Sequence, residues 1–302
     1  MKKTDFSYTW SQMKKKKAGY AFAAPFMILF IVFTVIPVII SIFFSFTYFN
    51  ALEPPRFVGL DNYMRLFLKD DVFIIAIKNT LIFSIITGPL SYVMCLLFAW
   101  FINELNRTLR VLFTILFYVP SISGQAYTVF SVIFSSDRYG FVNGILVECG
   151  ILSEPIAWFQ DTRYMLMIII IVSLWMSLGT SFLSFIAGLQ GVDRSLYEAA
   201  AVDGIKTRWH ELWYVTLPAM KPQLMFGAVM SITSSFTVSS ICNTLAGFPS
   251  TDYAAHTIVG HLQDYGQIRF DMGYACAIAT LLFLMMIGAN KLVTILLRRV
   301  GE

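Results

Sequence analysis

The sequence predicts an all-α membrane protein with six transmembrane helices, on the grounds of its composition and the length of its apolar stretches. Of the 302 residues, 57% are hydrophobic and only 13% are charged, whereas an ordinary soluble domain carries about 25% charged residues. A bilayer accommodates such a chain, because each crossing of its hydrocarbon core takes about 20 apolar residues in a helix. The composition therefore favours a membrane protein over a soluble one.

Six stretches are long and apolar enough to serve as transmembrane helices. They cover residues 20–46, 80–101, 111–134, 164–188, 223–243 and 274–297. The first stretch is too long for the hydrophobic region of a secretory signal and lacks a small-residue cleavage pattern, so we expect it to remain as a membrane anchor. An even number of spans places both termini on the same side of the membrane.

The distribution of Lys and Arg predicts which side that is. Fifteen of the 22 basic residues fall at the two termini or in the loops between spans 2 and 3 and between spans 4 and 5. Because cytoplasmic segments carry an excess of Lys and Arg, we expect both termini to be cytoplasmic. Residues 1–19 are then a basic cytoplasmic tail and residues 20–302 one transmembrane domain, with long outer segments at 47–78, 135–163 and 244–273.

The large cytoplasmic loop, residues 189–222, carries the clearest local signals. Ser195 and Glu198 have the spacing of a capping box, in which each side chain accepts a hydrogen bond from a backbone N–H at the start of a helix. The residues that follow favour a helix, and Gly204 suits the left-handed conformation that often ends one. We therefore predict a helix of about two turns from Ser195 to Gly204, followed by an amphipathic stretch at 208–214.

The local pattern leaves two interpretations of this helix open. In the first, it is a surface helix that joins two spans, and Glu198 only caps its own helix. In the second, Ala199, Ala200 and Ala201 leave so little side-chain bulk that a cleft of another protein can approach the helix backbone. The helix is then a docking element.

The same loop resembles the EAA loop of binding-protein-dependent ABC importer permeases. The match consists of Glu198-Ala199-Ala200, then three residues, Gly204, and further on Val215-x-Leu217-Pro218. The family motif has nine residues between the glycine and the aliphatic residue before Leu-Pro, whereas this chain has ten, residues 205–214. Contacts inside that interval are therefore not carried over.

Other segments are similar to the oligosaccharide and sugar-phosphate branch of these permeases. They are residues 57–63, 78–80, 119–120, 140–143, 158–159, 173–175 and 187–190. The resemblance extends over almost the whole chain, and together these matches favour a sugar over an amino acid or a metal as the transported substrate.

The resemblance implies an ABC importer type I permease fold with a cytoplasmic coupling helix between spans 4 and 5. In the family this helix lies in a groove of a cytoplasmic ATPase subunit. It implies that Glu198 makes the charged contact to the ATPase, that Ala199 and Ala200 pack there and that Gly204 turns the chain. Asp203, Leu217 and Pro218 belong to the same coupling set, although the local pattern favours Asp203 as an ordinary solvated acid over a residue bonded to the backbone or to Arg208.

The implied partners are a second permease subunit in a heterodimer, two ATPase subunits, an extracytoplasmic sugar-binding protein and membrane lipid, and no nucleic acid. The implied location is the inner or plasma membrane of a bacterium. The sequence contains no GxxxxGK[ST] phosphate loop and no HExxH motif. We therefore expect a subunit that is not an enzyme and binds no cofactor, with ATP and Mg used by the partner ATPase.

Polar side chains inside the spans are the candidates for the substrate pathway, because hydroxyl groups and aromatic faces suit a neutral sugar. The candidates are Tyr118, Gln125, Ser173, Trp175, Ser231, Ser234, Ser235 and Asn243. The alternative for each Ser is a bond to a backbone carbonyl of its own helix or close packing against a neighbouring one.

Two other classes of function fit the sequence less well than an importer subunit. A stand-alone ion-coupled secondary sugar transporter generally needs ionisable groups at mid-membrane, and we find none in the span cores. An intramembrane enzyme would need catalytic groups or metal ligands at membrane depth, whereas the three histidines, His210, His256 and His261, lie outside the predicted cores.

Overall fold

The computed structural model describes residues 17–298, so the predicted basic tail lies outside the described residues apart from 17–19. Four helices are long and apolar enough to cross a membrane: Gly19–Phe44, Asp71–Asn103, Thr162–Gly191 and Met272–Leu297. Two bent pairs pass the same test, Arg107–Ile122 with Ala126–Ile133 and Lys221–Phe236 with Ser240–Ala246. Counting each pair as one gives six spans, numbered here in chain order, as predicted.

Shorter elements complete the chain. Span 1 contains a π-helical segment, Ile31–Val35, and span 4 consists of Thr162–Met176 followed by Thr180–Gly191. Outside the spans lie the helices Asp61–Leu68, Phe141–Glu148, Arg194–Val202, Arg208–Glu211, Leu217–Ala219 and Ile258–Gln263, the π-helices Leu212–Thr216 and Asp264–Ile268, and the 3-10 turn Thr251–Tyr253. An antiparallel pair of two-residue strands, β1 Thr47–Tyr48 and β2 Arg56–Phe57, follows span 1.

Spans 3 and 5, each predicted as one continuous apolar stretch, are both bent in the structure. Span 3 turns by 84° and span 5 by 40°. In span 3, the Ser121 and Ser123 hydroxyls donate to carbonyls three residues earlier, at 2.7 and 3.1 Å, and Gly124 adopts a positive φ of 61°. Hydroxyl groups that bond the local backbone compete with the regular helical bonds, and a left-handed residue ends an α-helix.

The antiparallel course of the spans gives the molecule two ends. One end, which we call the loop end, carries the turn at 104–106, the segment 192–220 and the end of span 6. The other, the far end, carries segments 45–70, 134–161 and 247–271. Spans 2, 4, 5 and 6 pack together as the core of the bundle, whereas span 1 packs against span 6 through Ile36–Phe44.

A buried chain of hydrogen bonds fastens the far end. Asp70 caps span 2 by accepting from the Phe73 backbone N–H at 3.0 Å. It also accepts from Tyr274 Oη of span 6 at 2.7 Å, and its Oδ2 lies 3.1 Å from His261 Nε2. His261 Nδ1 in turn lies 3.2 Å from His256 Nε2. Because an ionised Asp70 only accepts, His261 donates to it through Nε2, and a neutral His261 then accepts at Nδ1 from His256 Nε2.

We expect this chain to make the protein sensitive to acid. Burial, and next the neighbouring His261, lower the pKa of His256 from 6.5 to about 4. Although burial acts to raise the pKa of Asp70, hydrogen bonds from His261 and Tyr274 hold it well below its ordinary value. The pKa of His256 is lower in the folded state, so its contribution to stability is full above about pH 6.5 and is lost as the pH falls towards 4. The contribution of Asp70 is lost only below about pH 4.

The predicted loss from His256 alone is on the order of 2 kcal/mol between pH 7 and pH 4. Thermal unfolding of the detergent-solubilised protein across this range measures it. His256→Gln keeps a donor towards His261 and removes the titrating group, so its unfolding temperature is expected to depend less on pH. If the unfolding temperature depended on pH equally in wild type and His256→Gln, His256 would not be the titrating group.

Candidate functional site

The predicted loop helix exists as Arg194–Val202, but it begins differently from the prediction. Its N-cap is Asp193, whose carboxylate accepts from the Ser195 backbone N–H at 3.0 Å. This bond lowers the pKa of Asp193. The capping box from Ser195 to Glu198 was therefore wrong, because Asp193, an equally good cap residue, lies two positions earlier and takes the role.

The helix ends as predicted at Gly204. Ile205 N–H donates to Ala200 C=O at 3.0 Å and Gly204 N–H to Ala201 C=O at 3.2 Å, which is the pattern of a Schellman motif. Gly204 has a φ of 93°, a conformation that side chains rarely adopt. The glycine is thus required by the turn itself.

The loop helix has one face against the bundle and one open face. Ala200 is buried, with 8% of its surface exposed, whereas Glu198, Ala199 and Asp203 are exposed. Within residues 17–298, the Glu198 carboxylate makes no hydrogen bond or ion pair. The interpretation in which Glu198 caps its own helix is therefore wrong, and its charge is free for an external contact.

The segment after the loop helix runs through an unusual turn. Thr207 caps the helix Arg208–Glu211, which continues into the π-helix Leu212–Thr216, called the π-turn below. Leu217 then lies buried in the bundle core and Pro218 is exposed in the first turn of the next helix. Arg208 pairs with Glu211 at 2.8 Å and Glu104 at 3.6 Å, and no bond to Asp203 forms.

A polar cavity of 470 Å³ lies between the loop helix and the span ends. Its lining includes Asn103, Glu104, Arg110, Tyr197, Arg208 and Thr216. Asn103 Oδ1 and Arg110 Nε are buried without a hydrogen-bond partner in the part of the chain that the structure describes. The loop helix is thus held over a space and touches the bundle at few points.

The breaks of three spans gather at one depth of the bundle. The turn Ala126–Thr128 of span 3 contacts both Ser240–Ala246 of span 5 and the first half of span 4. A Cβ at Gly179, in the break of span 4, would lie 3.4 Å from Ser121 Cβ. Irregular backbone at membrane depth is tolerated only where it is buried in protein or lines a water-filled cavity. This region is therefore the candidate passage for a solute.

Some of the predicted pathway residues lie near the breaks of spans 3, 4 and 5, and others are buried where helices pack together. Gln125 and Ser234 are exposed, Tyr118 and Asn243 are half-buried, and Trp175 is 44% exposed with its ring 5.1 Å from that of Phe130. Each of these is near a break.

Ser231 and Ser235 are buried between helices instead of facing an open surface. Ser231 Oγ lies 3.4 Å from Ser181 Oγ of span 4, and Ser235 Oγ donates to Ile232 C=O at 2.8 Å. Ser173 Oγ is buried and has no hydrogen-bond partner among residues 17–298. Serines at 231 and 235 allow the helices to pack closely. We therefore do not retain Ser231 and Ser235 as pathway candidates.

Sequence reasoning missed Gln263, which joins this group. Gln263 Oε1 accepts from Ser239 Oγ at 2.9 Å and from Asn243 Nδ2 at 3.2 Å. Gln263 ends the helix Ile258–Gln263, which returns from the far end towards the break of span 5. The signal that could have revealed this helix is its cap Thr257 followed by apolar residues. In the described residues, no group of three or more His, Cys, Asp or Glu side chains is arranged to hold a metal ion.

Comparison with known proteins confirms the resemblance found in the sequence. Residues 96–302 match the family described as binding-protein-dependent transport system inner membrane component. The chain is 34% identical to the probable ABC transporter permease protein YesP of Bacillus subtilis, over 93% of this chain and 90% of that protein. It is 31% identical to the arabinooligosaccharides transport system permease protein AraP of Bacillus subtilis, over 90% and 86% of the two chains.

A solved structure has the same fold. It is a bacterial alginate ABC transporter in complex with an alginate pentasaccharide-bound periplasmic protein, and one of its chains matches with a TM-score of 0.76 and 25% identity over 97% of this chain and 98% of that chain. Like the rest of the family, this chain is a non-catalytic permease subunit. It belongs to the family of inner membrane components of binding-protein-dependent ABC transport systems.

Proposed function

We propose that this chain translocates an oligosaccharide or another sugar as one of two permease subunits in an ATP-driven importer. An extracytoplasmic binding protein delivers the sugar, and two ATPase subunits that use ATP and Mg drive the cycle. The observation that carries the proposal is the loop helix Arg194–Val202, which is rigidly capped at both ends and presents Glu198 without an internal partner.

The open face of the loop helix is suited to a groove in another protein. Ala199 and Ala201 are exposed beside Glu198, so little side-chain bulk separates the helix backbone from a partner. A carboxylate at such a surface gains most from a charged hydrogen bond that is shielded from water. Glu198, Ala199, Asp203 and Gly204 therefore form the exposed part of the proposed ATPase contact, and Ala200 supports it from the buried side of the helix. Leu217 anchors the loop in the bundle, and Pro218 lies in the short helix that precedes span 5.

A row of exposed hydroxyls on span 5 supports a pathway shared with the second permease subunit. Ser234, Thr237, Ser240 and Thr244 recur at helical spacing and are exposed. The Ser234 and Thr237 hydroxyls donate to carbonyls of their own helix, and their oxygens keep acceptor capacity that lipid tails cannot satisfy. A second subunit or a water-filled passage is therefore expected to cover this face.

The residues at the breaks suit a sugar. Trp175 is exposed and packs against the half-buried Phe130, and aromatic faces accept the apolar faces of sugar rings. Gln125, Asn243 and Gln263 add amide donors and acceptors for hydroxyl groups. The names of AraP and of the alginate transporter support an oligosaccharide as the class of substrate.

The proposed orientation places the loop end in the cytoplasm of a bacterium, at its inner or plasma membrane, with both termini on that side. Residues 1–19 are then the basic tail and residues 20–302 the permease domain, with the loop 189–222 facing the ATPase. This orientation follows the distribution of Lys and Arg along the chain.

Replacement of Glu198 tests the docking. We expect Glu198→Ala to weaken binding of the ATPase about tenfold, the cost of one charge-assisted hydrogen bond across an interface. The measurement is the amount of ATPase that co-purifies with the permease pair at increasing salt. Glu148, which is also exposed and without a partner among the described residues but lies at the far end, is the matched control, and Glu148→Ala should bind the ATPase normally.

Transport by the reconstituted importer tests the mechanism. Uptake of labelled oligosaccharide into proteoliposomes should require the binding protein and ATP on the loop side, and it should persist when ion gradients are collapsed. Uptake driven by an ion gradient without ATP would instead indicate a secondary transporter.

For the binding experiment, normal ATPase binding by Glu198→Ala would show that Glu198 does not contribute to the contact.

A further inference from the structure

The loop helix has a single side-chain hydrogen bond to the bundle within residues 17–298, and it is made by Tyr197. Tyr197 Oη lies 2.9 Å from Thr216 Oγ1. Thr216 is buried, with 3% of its surface exposed. The two residues belong to different helices, so the bond fixes the distance between the loop helix and the π-turn.

The direction of this bond follows from the second bond that Thr216 makes. Thr216 Oγ1 donates to the Glu211 carbonyl at 3.2 Å. A hydroxyl has one hydrogen to donate, so Thr216 Oγ1 accepts from Tyr197. Two successive hydrogen bonds, from Tyr197 to Thr216 and from Thr216 to the Glu211 carbonyl, thus connect the phenol to the backbone next to the π-turn.

The π-turn is firmly held in the bundle. Leu212, Leu217 and Met220 are buried in one cluster with Ile102 of span 2 and Phe182 of span 4. The Leu217 backbone N–H donates to Leu212 C=O, five residues earlier, which makes room for one residue more than an α-helical turn. The interval from Gly204 to Val215 is one residue longer than in the family motif, and the π-turn accommodates that residue just before Leu217 and span 5.

Arg194 and Tyr197 of the loop helix line the 470 Å³ cavity, and most of its other side chains are exposed. A displacement of the helix is not transmitted through empty space, because transmission requires packed side chains or hydrogen bonds. Ala200 supplies one small apolar contact and the chain termini supply the covalent links. Tyr197 is the long side chain of the loop helix that lines the cavity and reaches the buried Thr216 hydroxyl.

We propose that Tyr197 is a positioning residue that transmits movement of the loop helix to span 5 through Thr216 and the π-turn. The inference rests on the proposed function, because it presupposes that an ATPase moves the loop helix. It goes further in that it assigns a path by which this movement reaches the spans, separate from the surface that binds the ATPase.

The test is the ratio of sugar transported to ATP hydrolysed by the assembled importer in proteoliposomes. Tyr197→Phe removes one oxygen from the inner face of the loop helix and leaves Glu198 unchanged. We expect ATPase binding and ATP hydrolysis close to wild type and a transport ratio about three- to tenfold lower, the loss that one buried hydrogen bond produces. Tyr214→Phe is the matched control, because Tyr214 lies in the same segment, is 70% exposed and has only a ring contact with His210.

Variants of Thr216 keep the proposal testable if Tyr197→Phe assembles poorly. Thr216→Val should lower the ratio as Tyr197→Phe does, and the double variant should be no worse than either single one. Thr216→Ser keeps the hydroxyl and should restore the wild-type ratio. A wild-type ratio in Tyr197→Phe, or multiplying losses in the double variant, would overturn the proposal.

These outcomes are distinguishable from failure of the proposed function. If the wild-type complex bound no ATPase or transported without ATP, the docking itself would be refuted. If the wild type is coupled and Tyr197→Phe equally so, only the path through Thr216 is refuted.

Discussion

Uptake of the transported sugar should fall below about a tenth of wild type in Gly204→Pro, while the amount of protein inserted in the membrane stays unchanged. Gly204 has a φ of 93°, whereas proline requires about −65°. The substitution also removes the Gly204 N–H bond to Ala201 at 3.2 Å, and it disfavours the helical conformation of Asp203 before it. The backbone at the end of the loop helix must therefore adopt another conformation, and the surface proposed to bind the ATPase is lost.

Gly204→Ala separates the effect of backbone strain from the other effects of proline, namely the lost N–H bond and the constraint on Asp203. A Cβ at this position meets nothing within 4 Å, so the alanine variant bears only the strain of a left-handed backbone, about 1–2 kcal/mol, and should retain part of the uptake. Gly150 offers a matched control at the far end, because its φ is 70° and its surroundings are equally open. Gly150→Pro should leave ATPase co-purification intact, and wild-type uptake by Gly204→Pro would contradict the docking of this loop.

The largest effect on folding is expected from Gly273→Ala, at the beginning of span 6. A Cβ at Gly273 would lie 2.1 Å from the Thr47 carbonyl oxygen and 3.0 Å from the Phe49 nitrogen. Both atoms belong to the backbone beside β1, so relief requires the strand to move and strains the bond from Gly273 N–H to Phe49 C=O at 3.0 Å. We expect a loss of about 3 kcal/mol, seen as an unfolding temperature about 6–12 °C lower.

Gly288 supplies the control within the same helix. A Cβ there meets nothing within 4 Å, and alanine is the better helix former by about 0.5–1 kcal/mol. Gly288→Ala should therefore unfold at the wild-type temperature or slightly above it. If both alanine variants behaved alike, the close approach of β1 to span 6 would be absent from the protein in solution.

The sequence predicted the spans well because an apolar stretch of sufficient length has few alternatives in a bilayer. It did not predict the breaks at Gly124 and Ser239, since the Ser and Thr residues around them have the same local bonds available in a straight helix. In the loop, Gly204 was recognised because only glycine favours its backbone conformation. The start was missed because Asp193 and Ser195 are both good caps, and the choice between them depends on the path of the preceding span.

The candidate site shows the same limits. Glu198 and Gly204 were identified from a short motif whose residues act within one loop. The Tyr197 bond to Thr216 joins positions 19 residues apart, and Gln263 reaches Asn243 across 20 residues. Neither pairing has a periodic pattern, because both depend on how separate helices pack.

Exchanging a far-end segment for that of a relative requires that four residues be kept matched. Tyr274 in span 6 and His261 both donate to the buried carboxylate of Asp70 before span 2, and His256 in turn contacts His261. A chimera that changes one of these residues alone is left with a hydrogen-bond donor or acceptor that has no counterpart. Grafting experiments that seek to alter recognition of a binding protein should therefore treat residues 70, 256–261 and 274 as an indivisible unit.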